Sequence, residues 1–327
     1  SATEHNITAA ITQGRGDASD PEVSYDGKKV VFALKCPSDN TSTIDGAAAP
    51  GLTISGGGVV RVIEQNAGVT ATIRHLTLTN GYGWQLAGGV LNNGNLTLDH
   101  VTVIGNTMAT DAGDFWQGGG GIYNGDGATL LLVDSTVANN NAAWSGGGIY
   151  SFFNSVTTIV RSTISGNTSN DVGGGIRSLG TMTITNSTLS GNRSTGWHGG
   201  AIFHTDGAMR IESSTITDNA GPDWAPSTIF VGSFNAAVPT LELTNTIISG
   251  NRWYACDHFT GASVLTSGGG NLVQDDTCNP TAGDLIGVDA MLGPLADNGG
   301  PTLTHALLPG SPAIDQGVNN EGFNYEQ

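Results

Sequence analysis

Apolar residues stand two apart along most of the chain with Thr or Ser between them, as in Leu76-Thr-Leu-Thr79, Thr181-Met-Thr-Ile-Thr185 and Ala208-Met-Arg-Ile-Glu212. A period of two marks a strand that buries one face only. No stretch sustains a helical period for more than a turn or two, so the pattern predicts an all-β chain. The strands also recur. A β-branched pair runs into a Gly-Asn or Asn-Asn turn, or Asp-Asn in one unit, at Val101–Asn106, Ser135–Asn140, Ser162–Asn167, Ser187–Asn192, Ser214–Asn219 and Thr246–Asn251, and Asn80 opens the series. Where no insertion intervenes, the closing asparagines repeat about every 26 residues. A second marker keeps step with the first: Gly88-Gly-Val90, Gly120-Gly-Ile122, Gly147-Gly-Ile149, Gly174-Gly-Ile176, Gly200-Ala-Ile202 and Ser227-Thr-Ile229.

Three short strands per period, paired in parallel between coils about 4.8 Å apart, bury one continuous core along an axis. The predicted fold is therefore a parallel β-helix, a solenoid of three short strands per coil and about eight to ten coils. The closing asparagines are expected in the left-handed conformation at sharp corners, stacked so that their amides bond from coil to coil.

Composition narrows the function classes. With 50 Gly and 12% charged residues the chain is no helical bundle, and without a strict three-residue glycine period it is no collagen. A formal charge of -17 argues against partners such as nucleic acid or an anionic membrane, which require a basic face. No apolar run approaches the roughly 20 residues that span a bilayer, and no signal peptide is visible. Of the three cysteines, Cys256 and Cys278 close a short polar loop and read as a disulfide of an exported protein, with a free buried pair as the alternative. Cys36 is then left over.

The repeats resemble those of right-handed parallel β-helix proteins of bacterial surfaces: the Gly-Asn corners and Gly-Gly-Ala-Ile202 look like polymorphic outer-membrane protein repeats. The C-terminal segment is more specific. Cys256, Gly268-Gly-Gly-Asn-Leu272, Asp276-Thr-Cys278 and the run from Leu292-Gly-Pro-Leu-Ala-Asp-Asn-Gly-Gly-Pro301 to Ser311-Pro-Ala-Ile-Asp-Gln-Gly317 are similar to the choice-of-anchor Q domain. That resemblance implies an extracellular or cell-surface bacterial β-helix with the Cys256 to Cys278 pair oxidised, and implies no particular chemistry. The expected organisation is an N-terminal capping segment over residues 1–45, β-helix coils over 46–255, and C-terminal coils and a cap over 256–327. Residues 1–36 stand apart in composition, holding all three lysines, and Asp20–Leu34 looks more like a strand of a periplasmic β-propeller blade; a fused fragment is the alternative to a cap.

The tryptophans carry the best functional clue. Trp84, Trp116, Trp144, Trp197 and Trp224 each precede the Val or Ile of the second marker by five or six residues, so they share one loop of successive coils; Trp253 extends the row. Immediately after the marker come Leu91, Tyr123, Tyr150, Arg177, Phe203 and Phe230, which alternation turns outward. Two readings follow. Flat rings spaced along a rod suit a polysaccharide, or the same apolar strip suits a cell-surface or extracellular protein; in the plainer reading the tryptophans fold over the corner and the neighbouring aromatics pack beneath them. The coil without tryptophan offers a catalytic alternative, a polysaccharide lyase or glycoside hydrolase built from Arg177, Asp171, His198, His204 and Tyr150. The loop carboxylates Asp114, Asp171 and Asp223 could instead form a glycosidase pair or coordinate Ca²⁺, the one cofactor considered. Against catalysis, the residue sets of pectate lyases and pectin hydrolases are not reproduced, and no phosphate loop, zinc spacing or nucleophile elbow is present.

Overall fold

The computed structural model of the chain describes residues 17–19, 33–35, 41–110, 116–233, 238–258 and 263–318. In the coil that opens at Ile122, strands Ile122–Asn124, Thr129–Val133, Thr136–Ala138 and Asn141–Ala142 follow one another. Each lies parallel to its counterpart in the next coil, Ile122 on Ile149, Leu130 on Thr157, Val137 on Ile164 and Asn141 on Thr168. The first three strands are those the alternation predicts. The fourth, two or three residues long, carries too little pattern to be read in advance. Eight first strands stack into one sheet, from Ile63–Gln65 to Tyr254–His258, and set the length of the solenoid.

The core is a set of columns that repeat one residue type per coil. Val90, Ile122, Ile149, Ile176, Ile202 and Ile229 form one; Leu98, Leu132, Ile159, Ile184, Ile211 and Leu243 another; all are buried. β-Branched and leucine side chains fill such columns because each stacks on its own kind at strand spacing. Thr157 interrupts the column of Leu130 and Met182, and its buried hydroxyl is satisfied by Asn124 at 3.0 Å and Ser151 at 2.8 Å.

The corners differ from expectation by one residue. The left-handed position is held by the residue before the asparagine: Gly105, Asn139, Gly166, Gly191, Asp218 and Gly250, with φ between 53° and 69°. The asparagines after them point inward and form a ladder. Asn80 belongs to the left-handed set at φ 54°, and Gly81 takes the ladder place in that coil, donating its amide to Asn106 Oδ1 at 2.8 Å. The shift follows from the chemistry: the ladder side chain must aim at its neighbours, and the sharp reversal just before it aims it there. The glycine markers have a separate cause. A Cβ on Gly147 would lie 2.4 Å from the carbonyl oxygens of both Thr168 and Gly174, so the corner passes too close to the next coil for any side chain.

Both ends extend the coil pattern. Thr41–Asp45 pairs with Thr70–Arg74, so the coils take in residues ahead of Leu52, where regularity first shows in the sequence. Asp17–Ser19 and Ala33–Lys35 pair antiparallel, while the remaining residues before Thr41, Cys36 among them, lie outside the described set. Toward the C-terminus Cys256 takes the place of isoleucine in the core column opposite Ile229 and is disulfide-bonded to Cys278. Beyond Ile286 the chain leaves the coils. Leu292–Ala296 and Thr304–Leu307 form an antiparallel hairpin laid back along the side of the solenoid, where Thr163 Oγ1 donates to the Leu303 carbonyl at 2.6 Å and Ser190 bonds His305 at 2.9 Å. The C-terminal segment thus flanks earlier coils.

Candidate functional site

Residue by residue, the column just after the second marker runs Leu91, Tyr123, Tyr150, Arg177, Phe203, Phe230 and Asp257, one per coil. Alternation turns these side chains away from the main core, as expected, but it does not leave them in solvent. Tyr123, Tyr150, Phe203 and Phe230 are buried, because the loop leading into each coil folds over them and builds a second apolar layer. The rings stack in register. Phe203 and Phe230 lie 4.7 Å apart at 9°, and Tyr123 meets Tyr150 edge-on at 5.0 Å. The expectation that Tyr123, Tyr150 and Phe203 present their faces to a ligand is therefore corrected: they are the floor beneath the loops. Sequence reading missed Phe152 and Phe153, half-buried in a turn, which pack on Tyr123, Tyr150 and Trp116. Their signal was the adjacent pair, found in no other coil.

The tryptophans lie over this floor. Parallel bridges Leu86 to Gly118 and Gly118 to Ser145 put Trp84, Trp116 and Trp144 in the same loop of three successive coils. In the coil without tryptophan, Asp171 takes the place. Its amide donates to the Trp144 carbonyl at 3.0 Å, and the Trp197 amide donates to its carbonyl at 2.7 Å, so backbone bonds join Trp144, Asp171 and Trp197 in three successive coils, whereas Trp84 stands in register with Ala109. Trp84, Trp116 and Trp224 are 51%, 48% and 68% exposed. Trp144 and Trp197 are half-buried, and Trp197 packs against Phe203, Phe230 and His198. The row is thus part platform and part lid.

The profile described as right handed beta helix region matches residues 89–278, more than half of the chain. The chain belongs to the right-handed β-helix family. No curated protein and no solved structure matches it. Membership in the right-handed β-helix family accounts for the coil, and the chemistry has to be read from the side chains.

The residues expected for catalysis are only partly brought together in this β-helix. Arg177, 6% exposed, lies between two rings, its guanidinium carbon 5.1 Å from the Tyr150 centroid and 5.7 Å from that of Phe203. It donates to Ser145 Oγ at 2.8 Å, and Ser145 donates to Asp171 at 3.3 Å. Burial raises the Asp171 pKa, with Arg177 and Ser145 opposing. This relay neutralises a buried cation. Tyr150 is fully buried, and burial pushes the Tyr123 hydroxyl beside it far above its usual range. His204 faces the inner corner, away from Arg177, with Nε2 on the Gly207 carbonyl at 3.2 Å; burial holds its pKa down to about 4. His198 stacks on Phe230 at 4.5 Å, and burial lowers its pKa against the pull of Asp257. Asp257 and Ser227 both approach His198 Nδ1, at 3.2 and 3.4 Å, so no acid–imidazole–hydroxyl relay through the two ring nitrogens forms.

The loop carboxylates do not gather either. Asp223 is paired with Arg252 at 2.9 Å, Asp171 is held by Ser145, and Asp114 lies outside the described residues. Among the described residues, the one group with ligand atoms close enough for a metal ion is Asp99, His100 and Asp134, within 4.8 Å of one another. It lies on a different corner, and Arg161 already grips Asp134 with two bonds of 2.7 Å that hold the carboxyl below its ordinary range. The charges there belong to two adjacent columns, Asp45, Arg74 and Asp99 in one and Asp134 with Arg161 in the other. Among the described residues no helix is long and apolar enough to cross a membrane.

Proposed function

We propose that this β-helix protein is a non-catalytic binding module, exported to the bacterial cell surface, that holds a polysaccharide along its tryptophan edge. The observation that carries the reading is the exposure of Trp84, Trp116 and Trp224, spread along the edge on which Tyr123, Tyr150, Phe203 and Phe230 stack as buried rings. Trp116 packs on Phe152 and Phe153, and Trp197 on Phe203 and Phe230, so these two rings lose little order on binding. The disulfide between Cys256 and Cys278 suits an oxidising location, as does the resemblance of the C-terminal segment to the choice-of-anchor Q domain. Catalysis through Arg177, Tyr150 and His204 is disfavoured by their burial. A glycan array with the wild type and a Trp84→Ala/Trp224→Ala variant tests the reading. Both indoles are mostly solvent-exposed, so the variant keeps its fold, and glycan signals should drop about tenfold or more. Signals equal to wild type, or none at all, overturn it.

A further inference from the structure

We infer that the ligand of the tryptophan edge is an uncharged, extended polysaccharide lying parallel to the solenoid axis, one sugar per coil, with the Asp171 carboxylate accepting hydrogen bonds from its hydroxyls. The inference rests on the polysaccharide reading above and specifies the class.

Spacing gives the direction. Coils repeat at strand separation, about 4.8 Å, close to the length of one pyranose unit in an extended 1,4-linked chain. A sugar polymer along the row therefore passes Trp144, Asp171 and Trp197 in three successive coils, with Trp116 one coil before them and Trp84 one coil earlier again, in register with Ala109. A chain laid across the coils would meet one tryptophan and then leave the row.

Charge gives the class. The carboxylates on or beside the row are Asp171, Asp223 and Asp257, and the cations near them are committed. Arg177 is buried between rings, Arg252 is paired with Asp223, and His198 faces Asp257. The whole chain carries -17. A polyuronate, with a carboxylate on each sugar, would find no uncommitted cation among these groups and would carry its charges along a strongly acidic chain. A neutral sugar meets no such penalty. Asp171 interrupts the rings in mid-row, its backbone bonded to both flanking tryptophans and its side chain anchored by Ser145. An acceptor fixed between Trp144 and Trp197 reads ring hydroxyls, and a charged acceptor does so more strongly than a neutral one.

The test is calorimetric titration with cellohexaose and xylohexaose as neutral probes, their trisaccharides, and hexagalacturonate, at low and high salt. The expected result is that a neutral hexasaccharide binds about tenfold or more tighter than both its trisaccharide and hexagalacturonate at low salt, with little salt dependence. Asp171→Ala should weaken neutral binding about tenfold, and Asp171→Asn by less; circular dichroism of both variants checks the fold, and the isosteric Asn variant decides if the Ala variant is unfolded. Hexagalacturonate binding as tightly as the neutral chains, or Asp171 variants that fold and bind like wild type, overturns the inference while Trp84→Ala/Trp224→Ala still weakens binding. If that tryptophan variant binds as wild type does, or no probe binds, the polysaccharide reading falls and takes the inference with it.

Discussion

The backbone amide and the side-chain amide of Asn106 both donate to a single atom, Asn140 Oδ1, each at 2.9 Å. Asn140 does the same to Asn167, Asn167 to Asn192, Asn192 to Asn219 and Asn219 to Asn251, where Gln274 ends the series. Each side chain also returns a bond to a carbonyl of the preceding coil, as Asn167 does to Val137 at 2.9 Å. Asn167→Ala should strip two buried donors of Asn140 of their acceptor and cost about 2–4 kcal/mol, read as a lowered urea midpoint. A change below about 0.5 kcal/mol would show that the ladder is not a source of stability.

Arg177 should be replaceable by a ring but not by a gap. Arg177→Ala leaves a hole between Tyr150 and Phe203 and is expected to cost about 2–4 kcal/mol. Arg177→Phe continues the stack and should stay much closer to wild type. Losing the cation also lifts the Asp171 pKa further above its unfolded value of 3.8. A carboxyl whose pKa is raised by folding weakens the fold as pH climbs past the unfolded pKa, and the penalty is complete above the folded one. Arg177→Phe should therefore fall behind wild type as pH rises from 4 to 7, and Asp171→Asn added to it should restore the balance. Urea titrations at the two pH values check this.

Acid should act through His204. Its pKa falls from 6.5 to about 4 in the folded state because burial opposes the charge. Below pH 6.5 the unfolded chain takes up a proton that the folded one refuses, so stability drops as pH falls toward 4, by up to about 3 kcal/mol. His204→Asn follows the residue used at the same corner by Asn92 and Asn124, and should remove that part of the acid sensitivity. Parallel pH dependences in the variant and the wild type would assign the acid response to other groups.

Reduction of the Cys256 to Cys278 bond should loosen one end only. The bond closes a loop of sequence separation 22 and stands in the core column, so its loss is expected to cost about 2–4 kcal/mol. Because coils contact mainly their neighbours, hydrogen exchange should quicken most over residues 254–286 and hardly change between Val90 and Ala138, ahead of the coils that the C-terminal hairpin fastens. Uniform acceleration along the chain would contradict this.

The fold was legible in the sequence because the coil states itself repeatedly: Ile122, Ile149, Ile176 and Ile202 occupy one column, and alternation sufficed to predict it. The asparagine corner was located to within one residue, since Gly-Asn does not reveal which member bends the backbone and which aims the side chain. The edge was harder. Alternation places Tyr150 and Phe203 outside the coil, yet whether outside means solvent depends on how the preceding loop lies, and loops carry no period. His204 next to Phe203 looked like a partner for Arg177, but adjacent strand residues point to opposite faces. The second role of the C-terminal segment, lying along the coils, rests on contacts of Thr163 and Ser190 that are more than a hundred residues from their partners.

That segment alters how the rod can come apart. A plain stack of coils can fray from its tip one layer at a time, like a loosening spring. Here the returning chain is fastened at Thr163, Ser190, Ser249 and Asn245, so coils up to three layers apart are strapped by a shared splint. Peeling the last layer means lifting the splint from several others first, and this half of the rod should open as a block.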